Sequence, residues 1–291
     1  MGAKVVHISD LHIEPTPERR FPGLMERLEQ DKLQLQQLQP DLVIASGDLT
    51  NWGSSHPADL EMARDWLDGL GLPVLAVPGN HDLGSVLHRG ERNPESEAYH
   101  HGPFATSPYA AVFGASPLSR ADLDGLTVFG IALREDDPDG VIPELERALA
   151  TVAGPVFVAG HFPIVPTREV VFSREFGSED YLPRAAERLR MLLAATPTVV
   201  AYLCGHVHII SMRPISPTCA QFTAGGLGSG SSMFRVFEVG DGRLEYRTLV
   251  GTGPQIFWER HFEEPRADPL FSTGTPQERA GVIRLDAEVV A

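Results

Sequence analysis

The chain has 291 residues, enough for one large domain or two small ones, each able to bury a core without disulfide or metal staples. Hydrophobic residues make up 42% and charged residues 22%, which excludes a collagen-like or wholly disordered chain. With 24 Lys and Arg against 39 Asp and Glu, the formal net charge is −15, so the average surface repels nucleic acid and anionic membrane.

Cys204 and Cys219 are too few for a disulfide framework or a Cys-rich zinc site, and read as buried thiols in a reducing compartment. The opening Met1-Gly2-Ala3-Lys4 leads straight into Val5-Val6-His7-Ile8, without the apolar region and cleavage site of a signal peptide. No apolar run approaches the length of a membrane span. The expectation is a cytoplasmic protein that does not engage a membrane.

Lys4–Ser9, Leu42–Ser46 and Val74–Val77 are short and rich in Val, Ile and Leu, as buried strands are. Between them lie Gly23–Gln39 and Pro57–Leu70, whose apolar residues recur near helical spacing and which Pro40 and Gly71 close. Such βαβαβ alternation implies parallel strands. Gly84–Asp124 is rich in Gly, Pro, Ser and His, with only Tyr109–Phe113 of ordered character, and reads as an insertion capping the site. Strands are then expected at Leu126–Ala132, Pro155–Ala159 and Val199–Cys204, and helices at Pro143–Ala150 and Pro183–Ala195. Cys219–Ala224, Met233–Glu238 and Arg243–Leu249 read as strands joined by tight turns, with Gly240-Asp241-Gly242 a hairpin signal. Residues 1–250 form the expected catalytic unit, and 251–291, with its four prolines, an extension of undefined role.

Five short motifs stand just beyond expected strand ends: Asp10-Leu11-His12, Gly47-Asp48, Gly79-Asn80-His81-Asp82, Gly160-His161 and Gly205-His206-Val207-His208. In an open α/β sheet that rim is where sites assemble. Asp10, His12, Asp48, Asn80, His161, His206 and His208 offer carboxylates, imidazoles and an amide, a set suited to Mn, Fe, Zn, Co or Ni. Seven donors exceed what one ion needs and match two ions sharing a carboxylate, the clamp used for displacement at phosphorus. The glycines before them permit sharp turns and close backbone approach. Each piece alone has a plain alternative. His12 taken singly is an ordinary histidine, Gly-Asn-His a turn, and Gly-His-x-His alternate residues of a strand. The weight lies in their ordered combination.

That combination resembles the calcineurin-like metallophosphoesterase superfamily over residues 10 to 208. The resemblance implies a four-layer α/β/β/α sandwich with a dinuclear metal centre. By it, Asp10, His12 and His208 hold the first metal, Asn80, His161 and His206 the second, and Asp48 bridges them, with Mn and Fe favoured. His81 is not a ligand in that pattern; it stands beside the scissile group, and Asp82 orients its ring. Ile8-Ser9-Asp10-Leu11-His12, Val77-Pro78-Gly79-Asn80-His81-Asp82 and Cys204-Gly205-His206-Val207-His208 are most similar to the bacterial cyclic-nucleotide and glycerophosphodiester phosphodiesterases. There are departures. Gly160-His161-Phe162-Pro163 replaces a double histidine before proline, and Ala132-Leu133-Arg134 stands where that group often has Leu-Asp-Ser. Histidine at 81, rather than arginine, separates the chain from the lipid-A-pathway pyrophosphatases.

The resemblance implies a phosphodiesterase acting on a small phosphodiester through a metal-bridging hydroxide, with His81 protonating the leaving oxygen. A phosphomonoesterase on the same centre, a DNA nuclease and a non-catalytic scaffold are the rival readings. The net charge speaks against a nuclease or duplex nucleic-acid partner, and the complete ligand set against a scaffold. A homo-oligomer is compatible with the sequence. Outside the motifs, Arg134 reads equally as a substrate contact or a surface arginine. Trp52 and His56 wall the cleft, or Trp52 joins the core. His88, His100 and His101 read as solvated loop residues, Gly225–Ser232 as a flexible turn, and Arg168, Arg174 and Arg184 as solvated charges unless they attract an anion.

Overall fold

The computed structural model describes residues 2–15, 22–83, 102–114, 116–134, 136–168, 185–228, 232–252 and 270–285. In chain order come β1 (Ala3–Ile8), α1 (Leu24–Leu38), β2 (Leu42–Ser46), α2 (Pro57–Asp68), β3 (Val74–Val77) and the single turn α3 (Asn80–Leu83). A 3₁₀ turn at Phe104–Thr106 precedes α4 (Pro108–Phe113), β4 (Leu118–Leu123), β5 (Leu126–Ile131), α5 (Val141–Leu149), β6 (Val156–Ala159), α6 (Ala186–Ala195) and β7 (Val199–Cys204). The chain closes with β8 (Ser211–Pro214), β9 (Ala220–Thr223), β10 (Met233–Gly240), β11 (Arg243–Val250), α7 (Leu270–Thr273), α8 (Pro276–Arg279) and β12 (Ala280–Arg284).

Two six-stranded sheets result, ordered β12-β11-β10-β1-β2-β3 and β4-β5-β6-β7-β9-β8. β1, β2 and β3 pair in parallel, as the βαβαβ pattern implies, and so do β5, β6, β7 and β9. Period-two alternation explains the layering. Val6 and Ile8 face Leu24, Leu28, Leu60 and Trp66 of the first helix pair in one core. Val5, Ile44 and Leu75 face the other way, against Val128, Phe157, Leu203 and Phe222 of the second sheet. Phe129, Val158 and Tyr202 then face Val141, Leu145, Leu189 and Leu193 of α5 and α6. Three cores thus separate four layers, helices, sheet, sheet, helices, in the α/β/β/α sandwich of the metallophosphoesterase type. Each side chain fully buried in them contributes about 1.5–3 kcal/mol.

The structure adds three strands. Leu118–Leu123 lies in the stretch expected to be an insertion, yet pairs antiparallel with β5 over its whole length. Ser211–Pro214 pairs with β9. Ala280–Arg284 pairs antiparallel with β11, so the first sheet draws on sequence beyond residue 250. His88, His100, His101, Arg174 and Arg184 lie outside the described residues, as do residues 84–101 and 115 of the expected cap.

Candidate metal centre

All five motifs begin within two residues of the carboxyl end of a strand: β1, β2 and β3 from one sheet, β6 and β7 from the other. The two rims face each other and are cross-linked. Asp10 N–H donates to Gly47 O (2.9 Å) and His12 N–H to Asp48 O (3.0 Å), carrying the parallel ladder past the strand ends. His161 Nδ1–H donates to Ser46 O (2.9 Å), and His206 N–H reaches both Asp10 carboxylate oxygens (3.1 Å each), joining the second sheet to the first.

Backbone geometry sets the donors. Asp10, His12, Asp48, His206 and His208 all have φ between 47° and 70°. Left-handed non-glycine residues cost about 1–3 kcal/mol in strain of this kind and persist where the surroundings fix them, most often at functional sites. Gly47 has φ 93°, and a Cβ on it would come 2.5 Å from His161 Nδ1. A Cβ on Gly79 would collide with the Asp48 carboxylate. At both positions glycine is required for the ligand beside it to fit.

Two donor groups emerge. In one, Asp10, His12, Asp48 and His208 present ligand atoms within 4.8 Å of one another; in the other, Asp48, His161 and His206 do. Asp48 belongs to both. His208 Nε2 lies 3.2 Å from Asp10 Oδ1 and 3.2 Å from His12 Nε2, and His161 Nε2 lies 3.3 Å from Asp48 Oδ2. Asn80 Oδ1 stands 3.0 Å from His161 Nε2, which places the amide with the second group. All seven expected ligands are therefore brought together.

The electrostatics suit cations. Burial pushes Asp48 up, but the charges of His161 and His81 outweigh it and hold the carboxyl well below the usual carboxylate range. Asp10 behaves likewise, burial being overcome mainly by His208. Burial disfavours the His161 imidazolium, yet Asp48 raises its pKa to about 9. His206, by contrast, is pushed down to about 3 by burial and by His161, which leaves it neutral and able to ligate. Buried carboxylates need a cationic partner, and a converging set of carboxylate, imidazole and amide donors fits divalent ions of intermediate hardness. The Nδ1–H bond of His161 to Ser46 O aims its Nε2 at the site, the usual second contact of a ligating histidine.

His81 is buried beside Asp48, with Nε2 3.8 Å from Asp48 Oδ2 and its ring 4.9 Å from that of His12. Its Nδ1 meets Asn51 O at 2.9 Å. A carbonyl only accepts, so Nδ1 carries the proton and Nε2 faces the centre. The ring is thus oriented by Asn51, not by Asp82 as the resemblance implies. Asp82 instead accepts from the N–H groups of Leu49 (3.0 Å), Thr50 (2.9 Å) and Gly79 (2.9 Å) and from the Thr50 hydroxyl (2.8 Å). Burial and Asp48 raise its pKa to about 6 against these donors.

Of the remaining candidates, Arg134 is occupied by Asp139 (2.8 Å from Nε) and by Gly102 O (3.1 Å), holding a loop. Trp52 is 44% exposed, which excludes the core reading. Arg168 is tied into the fold by Glu278 and several carbonyls. Ser46 and Asn51, which orient two histidines, escaped the sequence reading; they act through backbone carbonyls, and only their adjacency to Asp48 points to them.

The profile of the calcineurin-like phosphoesterases matches residues 3–209. Among curated proteins, the chain is 29% identical over 167 residues to one described as a probable cyclic nucleotide phosphodiesterase of Synechococcus sp., covering 57% of this chain and 60% of that one. The first of these relatives is thus matched over less than two thirds of its length. The chain is also 28% identical over 225 residues to the glycerophosphodiester phosphodiesterase of Enterobacter lignolyticus, covering 72% of each. Among solved structures, a dimetal phosphatase from Danio rerio superposes with a TM-score of 0.58 at 12% identity, covering 84% of this chain and 95% of that one. A purple acid phosphatase from yellow lupin gives 0.66 at 14%, covering all of this chain and 55% of that one. At such identities the structural likeness is one of fold.

Proposed function

Because the chain belongs to the calcineurin-like phosphoesterase family, we propose that it is a two-metal phosphodiesterase acting on a small phosphodiester of the cyclic-nucleotide or glycerophosphodiester type. The observation that carries this reading is the buried Asp48 carboxylate common to both donor groups. Asp10, His12 and His208 would hold one cation and Asn80, His161 and His206 the other, with Asp48 shared by both donor groups. When bound, the two cations supply Lewis-acid polarisation of the phosphoryl oxygens and an activated water. Mn and Fe suit the mixture of imidazole and carboxylate.

The chain's own residues do the remaining work. Ser46 and Asn51 fix the tautomers of His161 and His81. In its doubly protonated form, with Nδ1–H held by Asn51 O, His81 delivers the proton on Nε2, which faces the centre, to the leaving oxygen as general acid and returns to the neutral Nδ1–H ring. The net charge of −15 favours a small substrate over a nucleic-acid polyanion. No described helix is long and apolar enough to cross a membrane. A cytoplasmic location belongs to the same proposal and is supported by two cysteines that form no disulfide.

The test is a screen of purified protein with added Mn²⁺ against cyclic nucleotides, glycerophosphodiesters and nucleotide monoesters. Faster turnover of bis(p-nitrophenyl) phosphate than of p-nitrophenyl phosphate is expected. The opposite preference would favour the phosphomonoesterase reading. Two bound metals without turnover of any ester would favour a scaffold.

A further inference from the structure

The loop after β7 carries a ligand for each metal, His206 and His208, and both have positive φ, 70° and 53°. Such strain needs outside restraint. One restraint comes from Asp10, which takes the His206 N–H. Another comes from Thr223, whose hydroxyl donates to Ile209 O (2.5 Å). Further restraints come from Arg168 and from a C-terminal segment beyond residue 209, where the family match ends.

Ile210 N–H donates to Ser272 O at 2.8 Å. Its carbonyl accepts from Arg168 Nη2 at 2.7 Å. Both main-chain groups of the residue two positions after His208 are thus held. Arg168 is itself aimed by the same C-terminal segment: Nη2 also reaches Phe271 O (2.7 Å), and Nη1 reaches Glu278 Oε1 (2.7 Å). Glu278 is fixed in turn by a capping box with Thr275, its Oε2 accepting from Thr275 N–H at 2.8 Å. The buried Arg235 ties Glu278 O (2.8 Å) to Ser211 O (2.8 Å), just past the loop. Gly274, at φ 73°, lets this segment approach so closely that a Cβ there would stand 2.9 Å from Ile210 O.

We propose that residues 270–278 are a positioning brace for the His206–His208 loop, with Arg168 and Glu278 as its positioning residues. The brace sets metal affinity rather than touching substrate, and it acts most on His208, the ligand nearer Ile210. The inference rests on the two-metal reading above. Outer contacts that orient metal ligands are typically worth about 10–100-fold in affinity.

The experiment is calorimetric titration of Mn²⁺ into metal-stripped, full-length wild type, Glu278→Gln, Arg168→Lys and Gly274→Ala. Glu278→Gln removes the ion pair, Arg168→Lys keeps the charge but loses the fork that joins Glu278 to several carbonyls, and Gly274→Ala presses on the same contact through the backbone. Wild type should take two ions. The variants should bind at least one of them about tenfold more weakly, while kcat recovers at saturating Mn²⁺ and the unfolding midpoint of the stripped protein changes little in Glu278→Gln and Arg168→Lys, with some loss expected in Gly274→Ala from its positive φ. Failure of wild type to bind two ions would sink the metal reading itself. Two ions in wild type, with affinities within about twofold in the variants that fold, would overturn the brace alone. Loss of stability in Glu278→Gln with unaltered Mn²⁺ affinity in Arg168→Lys and Gly274→Ala would also overturn it, reducing the segment to ordinary packing.

Discussion

Asp82 binds Thr50 twice, through its backbone N–H (2.9 Å) and its hydroxyl (2.8 Å), and so ties the turn that carries Asp48 to the turn that carries Asn80. With Leu49 and Gly79 also donating, each carboxylate oxygen accepts two hydrogen bonds. The residue is fully buried, so removing it strands four donors away from water. Each buried unsatisfied group costs about 1–3 kcal/mol. Asp82→Ala is therefore expected to destabilise the metal-free protein by about 3 kcal/mol or more, measured by urea denaturation. Wild-type stability with a large loss of turnover would return Asp82 to a catalytic role.

Asp48 is the residue common to both donor groups. In Asp48→Asn a neutral amide replaces the charge that faces two cations. That variant should lose at least one of two ions by elemental analysis. Turnover of bis(p-nitrophenyl) phosphate should fall about 10³-fold, since metal polarisation is worth several kcal/mol of barrier. Retention of both ions and of the wild-type rate would disprove the bridging assignment.

Cys204 and Cys219 are both buried and unpaired with each other. Burial pushes the Cys219 thiol up to about 12, and burial with Asp10 pushes Cys204 higher than its ordinary value. Since the thiolate is the reactive form, native Cys219 carries far less of it than a free thiol. Iodoacetamide should modify neither cysteine in the folded protein and both in urea, as read by intact mass. Rapid labelling of the native protein would contradict the burial.

The clustering of the candidate ligands was legible because their chemistry is carried by side chains placed directly after apolar runs. Leu42–Ser46 and Val199–Cys204 announce strands buried on both faces, and the residues just after each must sit on the sheet rim. The added strands lack that signal. Leu118–Leu123 alternates half-buried residues with the exposed Arg120 and Asp122, and Ala280–Arg284 is an edge whose register is set by β11. Their identity as strands comes from pairing, which composition does not encode. The orienting contacts of His81 and His161 were illegible for a different reason. Ser46 and Asn51 act there through carbonyl groups that every residue possesses, so their function depends on where the chain turns. For Asp82 the residue was found and its partner was not. Adjacency to His81 suggested a pair, but in the short helical turn Asn80–Leu83 the Asp82 carboxylate is directed to the Asp48 turn.

His81 is where catalyst and ligand are to be told apart. Its backbone N–H donates to Asp48 Oδ1 at 2.9 Å, so it is anchored to the shared carboxylate through its main chain. Its ring is anchored separately, through Nδ1 to Asn51 O, and the two donor groups are complete without it. Removing the ring should therefore leave both metals in place. On the proposed reading, what is lost is the proton that the imidazolium would deliver from Nε2, and general acid help of this kind is worth about 10²–10⁴-fold. That benefit depends on the leaving group. An alkoxide, such as a ribose or glycerol oxygen, departs poorly without a proton, whereas a nitrophenolate departs readily. The His81→Ala variant is expected to keep two ions, to lose about 10²-fold or more on a cyclic nucleotide or glycerophosphodiester, and to lose far less on a nitrophenyl diester. Equal losses on both substrates would show that His81 binds or orients the phosphoryl group. Loss of an ion would show that it is a ligand.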